Sequence, residues 1–165
     1  MSDQSEAFAE GIDFAVVAYR EEGVWQVEQL AVEKIEDIDS LAGELRRYPG
    51  DGGALGMVSV DEDFFILVKV TGAKTKVLLS DVTAATDWPI ARSAVEFLEI
   101  PTPDDEDDQE PAGDLGLLSD LGLTAMDMGA LLDDLDLYPD EMLGDIAAKV
   151  GFGQQFDEAV GVPAS

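Results

Sequence analysis

The side chains of this chain that can do chemistry are carboxylates and little else. It carries 37 Asp and Glu against nine Lys and Arg, with neither histidine nor cysteine, for a formal charge of -28. Two acidic groupings stand out: Asp104, Asp105, Glu106, Asp107 and Asp108 in an unbroken run, and Asp133, Asp134, Asp136, Asp140 and Glu141 further along. Groupings of this kind can hold a hard cation, supply an acid and base pair, or meet a basic partner. Calcium and magnesium do take several carboxylate oxygens. An EF-hand loop starting at Asp134, however, would need an oxygen ligand where Tyr138 stands, glycine where Pro139 stands and a bidentate glutamate where Asp145 stands. That spacing fails, and no specific metal site is expected. Acid and base work by paired carboxylates requires burial that raises one pKa, as in glycosidases. No aromatic-rich sugar-binding pattern accompanies the acids, and among so many some pairs lie close by chance. Contact with a basic partner is the use that needs nothing further, so the ten residues named above are the candidate partner-binding set.

The missing residue types narrow the function as well. Histidine titrates nearest neutrality, and with cysteine it supplies most zinc ligands and the readiest nucleophile. Without either, a non-catalytic protein with no cofactor is expected. A polyanion repels phosphate, because nucleic-acid binding depends on Lys and Arg displacing condensed counterions, and nine such residues spread through the sequence supply little of that. Direct nucleic-acid binding and docking on anionic lipid are therefore not expected. Apolar runs such as Phe64 to Val68 are far too short to span a bilayer. The first ten residues have neither the basic nor the apolar part of a signal peptide, so cytoplasmic residence is expected. Two other functions stay open: an acidic nucleic-acid mimic that inhibits a basic protein, and a small-molecule enzyme or sensor built on buried carboxylates.

A chain of 165 residues is long enough to bury a real core. Ile12 to Tyr19 is densely apolar, Arg20 to Gly23 is polar, and Val24 to Leu30 alternates with period two, which predicts a β-hairpin. From Asp37 the spacing of Ile38, Leu41, Ala42 and Leu45 predicts a short helix, stopped at Pro49-Gly50. Ala54 to Val60, Phe64 to Val70 and Lys76 to Leu79 predict three more strands. Asp87 offers an N-cap before Trp88-Pro89, with Ile90, Ala94, Phe97 and Leu98 on one face of a second helix. Pro49 to Gly53 follows a helix and precedes a strand, the reverse of a phosphate loop, and Gly72 to Thr75 is better explained as a hairpin turn than as a Walker tail. Trp25, Trp88, Phe64, Phe65 and Phe97 are expected in the core.

The element order β-β-α-β-β-β-α predicts an α+β domain over residues 1–100 with a five-stranded, mainly antiparallel sheet, its helices on one face or split between the two. Such an order is similar to that of roadblock and profilin-like domains, which serve many purposes. Residues 101–114 read as an acidic, solvated linker. After them the composition turns to leucine, methionine and aspartate, and a helical module is expected over 115–160, with 161–165 a disordered tail. Within the module Leu118 to Thr124 repeats fourteen residues later as Leu132 to Tyr138, and Asp127-Met128 as Glu141-Met142. Each copy leads into a helix, the first capped by Thr124 and the second led by Pro139, with Gly151 and Gly153 ending the pattern. Met126, Met128 and Met142 are expected to fill gaps in the core. So small a bundle is marginal alone and must dock on something.

Four stretches carry a resemblance: Phe14 to Tyr19, Gly52 to Gly56, Leu79 to Pro89 and Leu135 to Leu143. Through them the chain resembles the bacterial tRNA adenosine deaminase-associated proteins, from about Ile12 to Val160. The resemblance implies a partner, possession of which is distinct from being the enzyme. A zinc nucleobase deaminase needs a His or Cys metal set and a glutamate in an H-x-E and P-C-x-x-C framework, and this chain has no such ligand. What the resemblance implies is thus an accessory protein whose acidic linker and helical module contact a basic surface of the deaminase.

Overall fold

The computed structural model describes residues 12–30, 35, 37–48, 53–60, 64–72, 74–86, 88–100, 111–133 and 138–160. Six strands, β1 (Ile12–Glu21), β2 (Val24–Gln29), β3 (Ala54–Val60), β4 (Phe64–Thr71), β5 (Lys74–Leu79) and β6 (Ala112–Gly113), form one sheet in the order β2-β1-β3-β4-β5-β6. Every described pair is antiparallel. The helices are α1 (Ile38–Leu45), α2 (Pro89–Phe97), α3 (Ala125–Leu132), α4 (Pro139–Val150) and α5 (Gly153–Val160), with 3-10 turns at Val82–Thr86 and Ser119–Leu121.

The α+β class and the first five strands follow the apolar pattern. The expected count of five strands is corrected to six. Ala112 and Gly113, in the stretch read as linker, pair with Leu79 and Leu78, and the Asp114 N–H donates to the Val77 carbonyl at 2.9 Å. Two residues are too short a run for alternation to reveal a strand.

The continuous apolar runs of β3 and β4 have a plain cause: both faces of the sheet are covered. Ala15, Val17, Val58, Val60, Phe64, Ile66 and Val68 share one core with α1 and α2. Val16, Ala18, Leu55, Met57, Phe65, Leu67 and Leu78 share the other with Leu117, Leu118, Leu123, Met128, Leu143, Ile146, Phe152 and Phe156 of the C-terminal helices and the turns around them. Alternate residues of each strand therefore belong to different cores, and the C-terminal helices dock on the sheet.

Local chemistry sets the element ends. Glu22 and Gly23 join β1 to β2 with φ of 52° and 81°, a two-residue turn whose twist suits a hairpin. Asp37 accepts from the Ser40 N–H at 2.8 Å while Ser40 Oγ accepts from the Asp37 N–H at 3.0 Å, a reciprocal cap at the start of α1. At α2 the N-cap position falls on Trp88, not on Asp87, which lies outside the described residues; Pro89 begins the helix. Thr124 accepts from the Asp127 N–H at 3.2 Å at the start of α3, as its spacing predicts. Gly151 ends α4 with φ of 118°, yet the chain turns into a third module helix, α5, where two helices were expected. Four residues depart from the expected core: Phe97 is 37% exposed, Met126 is 84% exposed, Trp88 is half-buried beside the first core, and Trp25 is half-buried where sheet and module meet.

Candidate functional site

On the face of the sheet that carries α1 and α2, the start of the first helix meets the second half of the other. The Ile38 N–H donates to Ser93 Oγ at 2.8 Å, which fixes the two helices against each other. Beside this bond lies a cavity of about 240 Å³ lined by Asp37, Ile38, Asp39, Ser93, Glu96 and Phe97. Ser93, Glu96 and Phe97 fall at i, i+3 and i+4, so they share one side of α2. Asp37 is held by its capping role, while Asp39 and Glu96 are exposed and stand clear of the core. Three carboxylates and an exposed phenyl ring thus border one open cleft. That combination suits a lysine or arginine side chain, which gains charge-assisted hydrogen bonds from the carboxylates and attraction to the ring face. The Ser93 hydroxyl is engaged by backbone, and the cleft holds no nucleophile with a base beside it.

The candidate residues read from sequence are distributed differently. Asp104, Asp105, Glu106, Asp107, Asp108, Asp134 and Asp136 lie outside the described residues. Asp133 is exposed at the C-cap of α3, where a negative charge faces the negative end of the helix dipole. Asp140 and Glu141 are exposed in the first turn of α4, where the dipole favours them, and Glu141 accepts from the Tyr138 N–H at 3.0 Å. Asp140 and Glu141 therefore have a structural use as helix starters. The cleft is built from three acids that sequence reasoning did not single out. Asp37 signalled only a helix start, and Phe97 was assigned to the core; the one available signal was a carboxylate beside a phenylalanine, Glu96-Phe97, in the last turn of an amphipathic helix. Among the described residues no three acidic side chains converge as a metal site would require. Asp81, the one buried carboxylate among them, accepts from the Thr83 N–H at 3.0 Å and from its hydroxyl at 2.6 Å, as a turn-forming residue does.

A second polar cluster sits toward the β2 edge of the same face. The Tyr19 hydroxyl donates to Glu28 Oε2 at 2.5 Å, and the rings of Tyr19 and Tyr48 stand 5.2 Å apart. The hydrogen bond to Glu28, then burial, push the Tyr19 phenol up to about 12, and burial raises Tyr48 as well. Because the folded state holds the Tyr19 proton more tightly than an unfolded chain with its ordinary value of 10.0, the contribution is complete below pH 10 and is lost as pH rises toward 12. Melting temperature should therefore fall more steeply across that interval in the wild type than in Tyr19→Phe. Parallel curves from thermal melts of the two proteins at matched pH would refute this assignment.

The model of the Rv3753c-like tRNA adenosine deaminase-associated protein family matches residues 13–153. Protein Rv3753c of Mycobacterium tuberculosis is 39% identical over 150 residues, covering 89% of this chain and 87% of the relative. No solved structure matches.

Proposed function

The chain belongs to the Rv3753c-like tRNA adenosine deaminase-associated protein family, and from that premise we propose that it is a non-catalytic accessory protein that binds a basic surface of the tRNA adenosine deaminase. The observation that carries this reading is the acid-lined cleft of Asp37, Asp39, Glu96 and Phe97, a receptacle for one cationic side chain on a molecule of charge -28. A deaminase that acts on tRNA must present cationic surface to phosphate, and complementary charge speeds encounter and fixes register. The exposed Asp133, Asp140 and Glu141 add negative surface outside the cleft, and the run Asp104 to Asp108 adds five more acids to the chain's charge. Occupying the deaminase's cationic surface would set how readily tRNA reaches it.

Titrating the purified deaminase with this protein by calorimetry tests the reading. Binding at low salt should weaken steeply as salt rises, since screening acts on exposed pairs. The double change Asp39→Lys and Glu96→Lys should weaken binding at least tenfold, or about 1.4 kcal/mol, while Asp133→Lys, outside the cleft, should cost less. Absence of binding at low salt would end the proposal, and equal losses at the two places would reduce the cleft to one part of a general acidic surface.

A further inference from the structure

β2 is the outermost strand of the sheet, with β1 as its one neighbour among the described residues. The Leu30 N–H donates to the Ala15 carbonyl at 2.8 Å, and in an antiparallel ladder the residues bonded across it alternate. Val24, Gln26 and Glu28 therefore turn their backbone groups toward β1, while Trp25, Val27 and Gln29 turn theirs outward. The devices that ordinarily blunt such an edge are missing: β2 has no lysine and no proline, and it pairs with β1 without a bulge. On a chain with 37 acids it carries one, Glu28, whose carboxylate the Tyr19 hydroxyl draws back toward β1. Arg20 sets a cation beside the strand, its guanidinium 5.3 Å from the centroid of the Trp25 ring.

The two sides of β2 differ. Trp25 and Val27 pack with the C-terminal helices, and Gln29 Nε2 donates to the Ala159 carbonyl of α5 at 2.5 Å. On the other side Val24, at 55% exposure, Gln26 and Glu28 are open to solvent.

We propose that β2 pairs with β2 of a second copy of this chain, antiparallel about a twofold axis at Val27, so that two sheets join into one. The strand's own sequence selects this occupant, because it is complementary to itself in that register. Val27 meets its equivalent and Trp25 meets the second copy's Gln29, each pair exchanging hydrogen bonds through the outward backbone groups. Between them Gln26 stands opposite the second copy's Glu28, where the carboxamide donates to the carboxylate, a charge-assisted bond made twice by symmetry. Centring on Gln26 would lose that bond, and centring on Glu28 would set like charges face to face. Glu21 and Glu22, at the hairpin tip, fall outside the paired segment. One strand a side buries less than the roughly 1,000 Å² of a lasting interface, so the dimer forms and parts with concentration. Repulsion between two chains of charge -28 opposes pairing, and salt screens it. Self-association therefore strengthens as salt rises, the reverse of binding at the acidic cleft. It uses no residue of that cleft and stands independently of binding to the deaminase.

Sedimentation velocity of the full chain from micromolar to millimolar concentration should show a monomer–dimer equilibrium that moves toward dimer in high salt. Amide hydrogen exchange followed by NMR should slow at Trp25, Val27 and Gln29 in the concentrated sample, and stay the same at Val24, Gln26 and Glu28, which are already bonded to β1. Gln26→Glu, at an exposed position, should weaken the dimer by about tenfold or more and Gln26→Lys should tighten it, both with unchanged circular dichroism. Asp133→Lys, which lowers the net charge further than either and lies on α3, should leave the dimer nearly unchanged. A monomer at every concentration in high salt, a dimer whose outward β2 amides exchange as in the monomer, equal affinities in the two Gln26 variants, or equal tightening by Asp133→Lys would overturn the proposal.

Discussion

Replacing Phe152 with alanine should destabilise the protein by about 3 to 5 kcal/mol, lowering the melting temperature by roughly 10 °C, and the sheet and the helical module should still melt together. Phe152 is fully buried where the two meet: its ring packs, tilted, against Trp25 of β2 at 4.8 Å, and its N–H donates to the Ala147 carbonyl at 2.8 Å as the chain turns from α4 into α5. Its removal leaves a cavity in the core shared by Leu55, Met57, Phe65 and Leu67 of the sheet with Met128, Leu143 and Ile146 of the module. Against a total stability of about 5 to 15 kcal/mol for a domain of this kind, such a loss is a large fraction. Because those sheet side chains have no other cover among the described residues, opening the module exposes them, and the two parts lose their order in one step. Calorimetry of wild type and variant checks this. Two separated transitions, with the sheet keeping its wild-type melting temperature, would mean that the module is an independent body resting on a sheet stable without it.

The same shared core explains what could be read from the sequence and what could not. The strands Ala54 to Val60 and Phe64 to Val70 were legible because an apolar run bounded by polar residues has few other uses, and the fourteen-residue repeat placed two helix starts, at Thr124 and Tyr138, in their true register. Continuous burial in β3 and β4 also carried the information that both faces were covered. Lying between five-strand alternation and a leucine-rich tail, that clue points to the module as the second cover. The sixth strand and the third module helix were illegible for opposite reasons. β6 is held by pairing across a distance of more than thirty residues, whereas the helix α5 begins at a glycine that reads as a stop. The acidic cleft was illegible because it depends on how α1 and α2 cross, a relation fixed by the Ile38 to Ser93 hydrogen bond and by their common seat on the sheet.

Gly53→Ala should cost about 3 kcal/mol or more, a large effect for the addition of one methyl group, while Gly43→Ala should raise stability by about 0.5 to 1 kcal/mol. Gly53 sits immediately before β3 with φ of 94°, a conformation side chains rarely adopt, and a Cβ there would lie 2.0 Å from the Val70 carbonyl oxygen and 3.0 Å from the Thr71 Cα. Those obstacles are backbone atoms of the neighbouring strand, so no change of rotamer relieves them; β3 and β4 must separate at that end or the peptide must rotate away. Either movement disturbs the pairing of β3 with β4 at that end of the sheet. Gly43 is the counterexample on the same chain. It lies in the middle of α1, exposed, with nothing within 4 Å of an added Cβ, so alanine there removes backbone freedom from the unfolded chain and meets no resistance in the folded one. Urea denaturation of the two variants should give midpoints displaced in opposite directions at a common slope. Midpoints that move together would show that helix freedom and not the approach of β3 to β4 dominates glycine replacement in this fold.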